Sequence, residues 1–275
     1  MALSCTVCVS AAEDETIKLT VWGAEEDQDL LKELTDKFQE KYADQKFDIQ
    51  IGVESESTAK DTILTDVEAG ADVYAFADDQ LTDLVKAGAL LKLDDYAEAL
   101  QLADTTLDDV KAANVEGAID AASWDSLLEA ADKAGKKVGM TLASGNLVAC
   151  VSGTWDAITA QDVFGDGYAA TKLPTFTVGD KQVQQGSVAG YKYVGVNGYS
   201  VNSGWAVLLA EYFTNEESQQ MFFDQRESGP SNKNVAASDS VQENVALAAL
   251  SAQSEYAQAQ KVGGKYWDSA QTFGE

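Results

Sequence analysis

The sequence predicts an α/β protein whose first part is a doubly wound, mainly parallel sheet. Three observations predict it. Residues 17–95 alternate short β-like runs with amphipathic helical stretches, and each repeat is long enough for a crossover connection. Beyond Glu116 the alternation gives way to Gly-rich hairpin material and then to helices, which marks a second lobe. The 275 residues are 45% apolar with only two prolines, enough to bury one large core or two ordinary ones.

The elements follow in order. "IKLTVWG" (17–23) is a buried strand in which Ile17, Leu19 and Val21 alternate before Trp22. In the helix that follows, Leu30, Leu31, Leu34, Phe38 and Tyr42 share one face, and Asp27 and Asp29 load the first turn with negative charge. "KFDIQIGV" (46–53) is a second strand, and "STAKDTILTDVEAG" (57–70) a second helix stopped by Gly70. "ADVYAFADD" (71–79) is a third strand, and "QLTDLVKAGALLKL" (80–93) a helix with its end at Gly88. The second part reads as a helix over 123–137, strand material in "VGMTLASG" and "NLVACVSG", and a helix in "TWDAITAQDVFG". Hairpins follow over 168–201, and from Ser203 the chain is mostly helical. Trp124 and Trp205 lie in amphipathic helical patterns and are expected in the core. The organisation expected is a leader over 1–12, an N-terminal lobe over 13–116 and a C-terminal lobe over 117–275, with some exchange of chain.

Charge and composition exclude several chemistries. There are 46 acidic residues against 19 basic ones, a net charge of −27. Such a surface repels nucleic acid and anionic headgroups, so no nucleic-acid partner is expected. With no histidine, neither a Ser-His-Asp nor a Cys-His pair can form, nor any His-containing zinc site. No metal and no cofactor is expected. Cys5 and Cys8 match C-x-x-C spacing, but they lie in "MALSCTVCVSAA" rather than between a strand and a helix, so redox chemistry is not the reading. The segment resembles the tail of a secretory signal, apolar and ending in the small residues Ser10, Ala11 and Ala12. The mature chain is then expected to begin near Glu13 and to be secreted, at the cell surface or in the periplasm. "ALSC" (2–5) is a poor lipobox, so a lipid anchor on Cys5 is the minor alternative. Cys150 is expected as a buried thiol on an apolar run.

In open α/β sheets ligands sit beyond the carboxyl ends of the strands. Here those ends carry rings and carboxylates together: Trp22 with Glu25, Glu26 and Asp27, and Phe76 with Asp78 and Asp79. "VSGTWDA" (151–157) repeats the combination, setting Trp155 beside Asp156 at a turn after an apolar run. A core takes a ring alone; a binding surface takes both.

"IKLTVWGAEEDQDLLKELTDKFQEKY" followed by "DVYAFADDQLTDLVKAGALLKL" resembles the N-terminal lobe of the family 1 extracellular solute-binding proteins, the maltose/maltodextrin-type receptors of ABC importers. "VSGTWDA", "GDGYAATKLPTF", "GWAVLLAEYFTNEESQQMFF", "SGPSN" and "GGKYWDSAQTF" are similar, in order, to segments of that family's C-terminal lobe. The resemblance implies a two-lobe, type II periplasmic-binding-protein-like fold with crossing strands, a sugar held in the cleft, and closure on binding. It implies a monomer that docks on ABC-transporter permease subunits. It matches Phe76 and Asp79 to the family's aromatic-then-Asp loop, and Trp155 to an aromatic at a helix start. Trp267, with Tyr266 beside it, matches the late aromatic of the final cleft segment. Glu26 and Asp27 match a polar loop that reaches sugar hydroxyls. Two family segments are missing, one between Ala122 and Ser123 and one between Asn146 and Leu147. The first loss removes ligand contacts and one hinge connection.

The chemistry agrees with the resemblance. A pyranose has a face of C–H bonds and a rim of hydroxyls; rings cover the face, and Asp or Glu accept protons from the rim. A neutral sugar therefore needs neither histidine nor metal. At Asp156 a cap of its own helix is favoured over a rim acceptor. The alternatives are a carboxylate-dependent glycoside hydrolase and an acidic cell-surface protein with no small ligand.

Overall fold

The computed structural model describes residues 16–93, 137–139 and 147–259. They divide into two compact units: residues 16–93 with 190–218, and residues 137–139 and 147–189 with 219–259. The expected boundary near 116 lies outside the described residues.

The first unit is built on a four-stranded sheet in the order β2 (Phe47–Val53), β1 (Ile17–Gly23), β3 (Val73–Ala77) and β9 (Lys192–Val196). Strand β1 pairs in parallel with β2 and β3. The edge strand β9 runs antiparallel to β3, with Phe76 opposite Tyr193 and Tyr74 opposite Gly195. Alternation decides what each face buries. Ile17, Leu19, Val21, Val73 and Val196 are all buried, and α1 (Gln28–Lys41) and α5 (Ser203–Thr214) pack on the sheet and on each other. Leu30, Leu34, Phe38, Leu209 and Phe213 supply the helical side of that core. Rings join it edge to face: Phe38 lies 5.5 Å from Phe47 and 5.7 Å from Tyr212, and Trp205 lies 5.1 Å from Phe47. Trp205 is thus a core residue.

Trp22, Tyr74 and Phe76 belong to a second cluster with Ala59 and Ile63 of α2 (Ala59–Ile63) and Leu84 of α3 (Leu81–Lys86). Helix α2 is shorter than the expected span to Gly70. The Asp66 carboxylate accepts from the backbone N–H groups of Glu68 and Ala69, 3.2 Å each, and this local turn competes with helix. Helix α3 ends at Lys86, and Gly88, two residues on, turns the chain with a φ of 69° that suits glycine.

Residues beyond 189 return to the first unit. Buried Asn197 fixes that return: its side-chain N–H₂ donates to Val67 O at 2.8 Å, its Oδ1 accepts from the Tyr199 N–H at 3.0 Å, and its own N–H donates to Asp72 O at 2.9 Å. Ser200 donates its hydroxyl to Asp72 Oδ1, while the N–H and hydroxyl of Thr20 donate to Oδ2.

The second unit holds three two-stranded pieces: β4 (Lys137–Gly139) with β5 (Leu147–Cys150), the hairpin β6 (Thr175–Val178) with β7 (Lys181–Gln184), and β8 (Ser187–Ala189) with β10 (Ala257–Ala259). Its helices are α4 (Ala157–Phe164), most of α6 (Glu216–Arg226), α7 (Lys233–Ala236), α8 (Asp239–Gln242) and α9 (Val245–Ser254). Phe223, Val235, Val241 and Leu247 form its buried cluster. Gln253 ties α9 to the sheet pieces, accepting from Leu173 N–H at 3.0 Å and donating to Gln185 O at 3.1 Å. The expected helix over 123–137 lies almost wholly outside the described residues, and so does Trp124. Among the described residues no helix is long and apolar enough to cross a membrane.

Candidate functional site

In the first unit the carboxyl ends of β1, β2 and β3 each open into a short acidic segment. β1 runs into a 3₁₀ turn, Glu25–Asp27; β2 into Glu54–Thr58; β3 into a 3₁₀ turn, Asp78–Gln80. Two glutamine amides hold these segments. Gln28 donates from Nε2 to Gly23 O (3.0 Å) and Ala24 O (3.1 Å). Gln80, 4% exposed, donates to Glu56 O (2.7 Å) and Ser57 O (2.8 Å), and its Oε1 accepts from the Lys60 N–H (3.0 Å). The antiparallel strand β9 starts at the same end. Lys192 there pairs with Glu56 at 2.7 Å, and the Asp78 N–H donates to Tyr191 O at 3.0 Å. Burial raises the Asp78 carboxyl above the ordinary aspartate value, and neighbouring Asp79 adds to the rise; N–H donation from Tyr191, Asp79 and its own residue works the other way.

Glu26 is exposed, and Asp27 is half-buried at the end of its turn, where its side chain makes no helix cap. Asp79 is half-buried in the turn after β3. Phe76 departs from expectation. It follows Tyr74 by two residues on a strand, so it shares Tyr74's face and its ring enters the core, 2% exposed. Tyr74 lies 5.9 Å from it and Tyr193 5.7 Å. Gly195 makes room for this packing: a Cβ there would come within 2.8 Å of the Phe76 ring and 2.5 Å of Leu90. A ring so enclosed cannot cover a ligand, which corrects the expectation for Phe76. Tyr193, 41% exposed, is the ring left at the surface of that strand pair. Trp22 pairs with Tyr74 across the sheet and lines an open groove of about 560 Å³ with Thr58, Asp61, Thr62, Thr65 and Asp66.

In the second unit β5 ends at Cys150, and a 3₁₀ turn, Thr154–Asp156, leads into α4 and packs beside α9. Trp155 stands on that turn, 79% exposed, the most exposed aromatic among the described residues. Asp156 is not a cap by its side chain; its carboxylate accepts from the Ser152 hydroxyl. Cys150 is half-buried and free, and burial, with a smaller contribution from Asp156, pushes its thiol above the ordinary cysteine value. Tyr266 and Trp267 lie outside the described residues.

Sequence reasoning missed Glu56, Lys192 and Tyr193. Glu56 lies between a strand and a helix with no ring beside it, and the other two reach this sheet only through a pairing across more than a hundred residues. Among the described residues no group of three or more Cys, Asp or Glu is placed to hold a metal ion. The strand-end carboxylates, with hydroxyl and amide neighbours, can accept hydrogen bonds from a neutral polyol and repel anions. The Trp155 indole can stack on an apolar face.

Residues 133–249 match the family described as bacterial extracellular solute-binding protein. No curated protein sequence matches the chain. Several solved structures share its fold. The maltodextrin-binding protein MalE1 from L. casei BL23, solved without ligand, is 17% identical with a TM-score of 0.72, over 95% of this chain and 91% of that one. The maltose/maltodextrin-binding domain MalE from Bdellovibrio bacteriovorus, bound to maltotriose, is 13% identical with a TM-score of 0.73, over 93% and 92%. The maltose-maltodextrin binding protein of Alicyclobacillus acidocaldarius is 15% identical with a TM-score of 0.72, over 94% and 93%. The chain therefore has the type II periplasmic-binding-protein fold, and its residues 133–249 match the family described as bacterial extracellular solute-binding protein.

Proposed function

We propose that this chain is a secreted carbohydrate receptor that binds a maltooligosaccharide-like sugar reversibly and delivers it to the permease of an ABC importer. The observation that carries the reading is Trp155, an indole left 79% exposed on a turn pinned by its own neighbours. An exposed ring of that size on a fold shared with sugar receptors supports a stacking role, because the C–H face of a pyranose is the apolar surface it complements. Glu26, Asp27 and Asp79, at the strand ends of the first unit, are proposed as hydroxyl acceptors, and Tyr266 with Trp267 as further rings. No chemical step is assigned: the chain holds the sugar and releases it intact, as a monomer outside the cell.

Titration of the full chain with maltotriose tests this. Heat release and a change in tryptophan emission should both saturate, and the sugar should be recovered uncleaved. Trp155→Ala should weaken binding roughly tenfold, the loss of one good stacking partner. A chain that takes up no maltotriose overturns the receptor reading, and shortened sugar products would replace it with the hydrolase.

A further inference from the structure

We propose that Gly153 is a positioning residue for sugar recognition: its missing side chain lets the Trp155 indole lie flat and present its free face to the ligand. The inference rests on the receptor reading above and deepens it. A Cβ built on Gly153 would sit 2.1 Å from Cζ3, 2.3 Å from Cη2 and 2.4 Å from Cε3 of Trp155. These are three consecutive atoms of the six-membered ring. A point beyond the ring edge would be much farther from two of them than from the third, so near-equal distances place it over the ring face. One face of the indole therefore rests on the Cα hydrogen of Gly153, and no side chain fits between them.

The backbone does not ask for glycine here. Gly153 has φ −111° and ψ 179°, an extended conformation open to any residue. Glycine even costs chain entropy at such a position, and alanine would lower that cost. What alanine cannot do is leave the ring where it is. The turn around the ring is otherwise held, by Ser152 donating to the Asp156 carboxylate and by the Asp156 N–H donating to Gly153 O at 3.2 Å. An added methyl thus expels the indole rather than moving the turn. A ring 79% exposed while covering a glycine with one face leaves the other face open to solvent. A pyranose stacks on one face, so the pose set by Gly153 selects which face is offered.

The test compares Gly153→Ala, Trp155→Ala and the double variant in the full chain. Maltotriose affinity is read by calorimetry, ring exposure by acrylamide quenching of tryptophan emission, and stability by thermal unfolding. The expected result for Gly153→Ala is a roughly three- to tenfold loss of affinity with altered quenching and an unchanged or raised unfolding midpoint. The double variant should bind no worse than Trp155→Ala, because Gly153 acts through the ring. If Gly153→Ala binds like the parent while Trp155→Ala is weakened, the positioning role is overturned and the receptor reading stands. If the two losses add in full, Gly153 acts by another route and the proposal fails. If Trp155→Ala itself binds normally, the ring is not a platform, and both the placement of the sugar and the role of Gly153 fall.

Discussion

At the scale of single residues the fold spends polar groups sparingly, and Tyr74 shows how. Its ring is fully buried, and its hydroxyl donates to Ala89 O at 3.2 Å. Burial raises the hydroxyl pKa above the ordinary tyrosine value of 10.0, because a phenolate there would lose its hydration without gaining a cation. The consequence for stability has a definite sign. Above about pH 10 the unfolded chain has released this proton while the folded chain still holds it. The unfolded state then binds fewer protons, so stability is full below that pH and falls as pH rises past it. Tyr42, Tyr168 and Tyr212 are also raised, each chiefly by burial, and add to the fall. Tyr74→Phe should therefore flatten, without abolishing, the alkaline loss seen in urea unfolding between about pH 9 and about pH 11. At neutral pH the same variant should cost only about 0.5–1 kcal/mol, since Ala89 O keeps the Gly198 N–H as a partner at 3.2 Å. An alkaline slope identical to the parent's would show that Tyr74 does not stay protonated in the fold.

At the scale of elements, short loops hold the acidic strand ends in register, and Gln80 is the clearest fastener. Its buried amide replaces ladder hydrogen bonds that the turn after β3 and the segment before α2 cannot make with each other. Gln80→Ala would leave Ser57 O and the Lys60 N–H without this partner, whereas Glu56 O still accepts from the Ala77 N–H at 3.1 Å. Two orphaned groups predict a loss of about 2–3 kcal/mol in urea unfolding, with faster protease cleavage over residues 54–58. A loss under about 0.5 kcal/mol would mean that the loops are held by something else. Most of these elements are legible in the sequence. Period-two alternation locates β1 to β3, and helical spacing locates α1. The span of α2 is not legible, because the Asp66 side chain holds residues 66–69 in a turn of their own where the spacing alone reads as helix. The burial of Phe76 is hidden for a related reason: ring plus carboxylate is visible in sequence, but which face of the strand the ring occupies depends on what covers it. The exposure of Trp155 is legible because a turn of small residues sets it off from any apolar pattern. Lys192, Tyr193 and Glu56 are not, since β9 joins this sheet from far along the chain and nothing local announces the pairing.

At the scale of the whole molecule, charge outweighs the other polar effects. A net charge of −27 stores self-repulsion in any compact state. The ion pairs described do little against it. Lys32 and Asp36 meet at 2.6 Å, yet their side chains are 69% and 53% exposed, and Lys192 with Glu56 is exposed at 59% on the lysine side. Exposed pairs of this kind are worth at most about 1 kcal/mol each. The two effects respond to salt with opposite signs. Screening weakens attractive pairs and would lower the unfolding temperature; it also weakens the repulsion summed over the surface and would raise it. Repulsion acts among many more groups and over longer distances, where a Debye length of about 8 Å at physiological ionic strength screens most effectively. The thermal midpoint should therefore rise by several degrees when sodium chloride goes from about 0.01 M to about 0.3 M, with most of the gain below about 0.15 M, the range in which the Debye length shrinks fastest. Sodium chloride is the suitable salt because sulfate would add a stabilisation of apolar burial unrelated to charge. A midpoint that falls over the same range would show that local ion pairs outweigh the surface field. The acidic surface would then have to be explained by its partners rather than by a cost the fold tolerates.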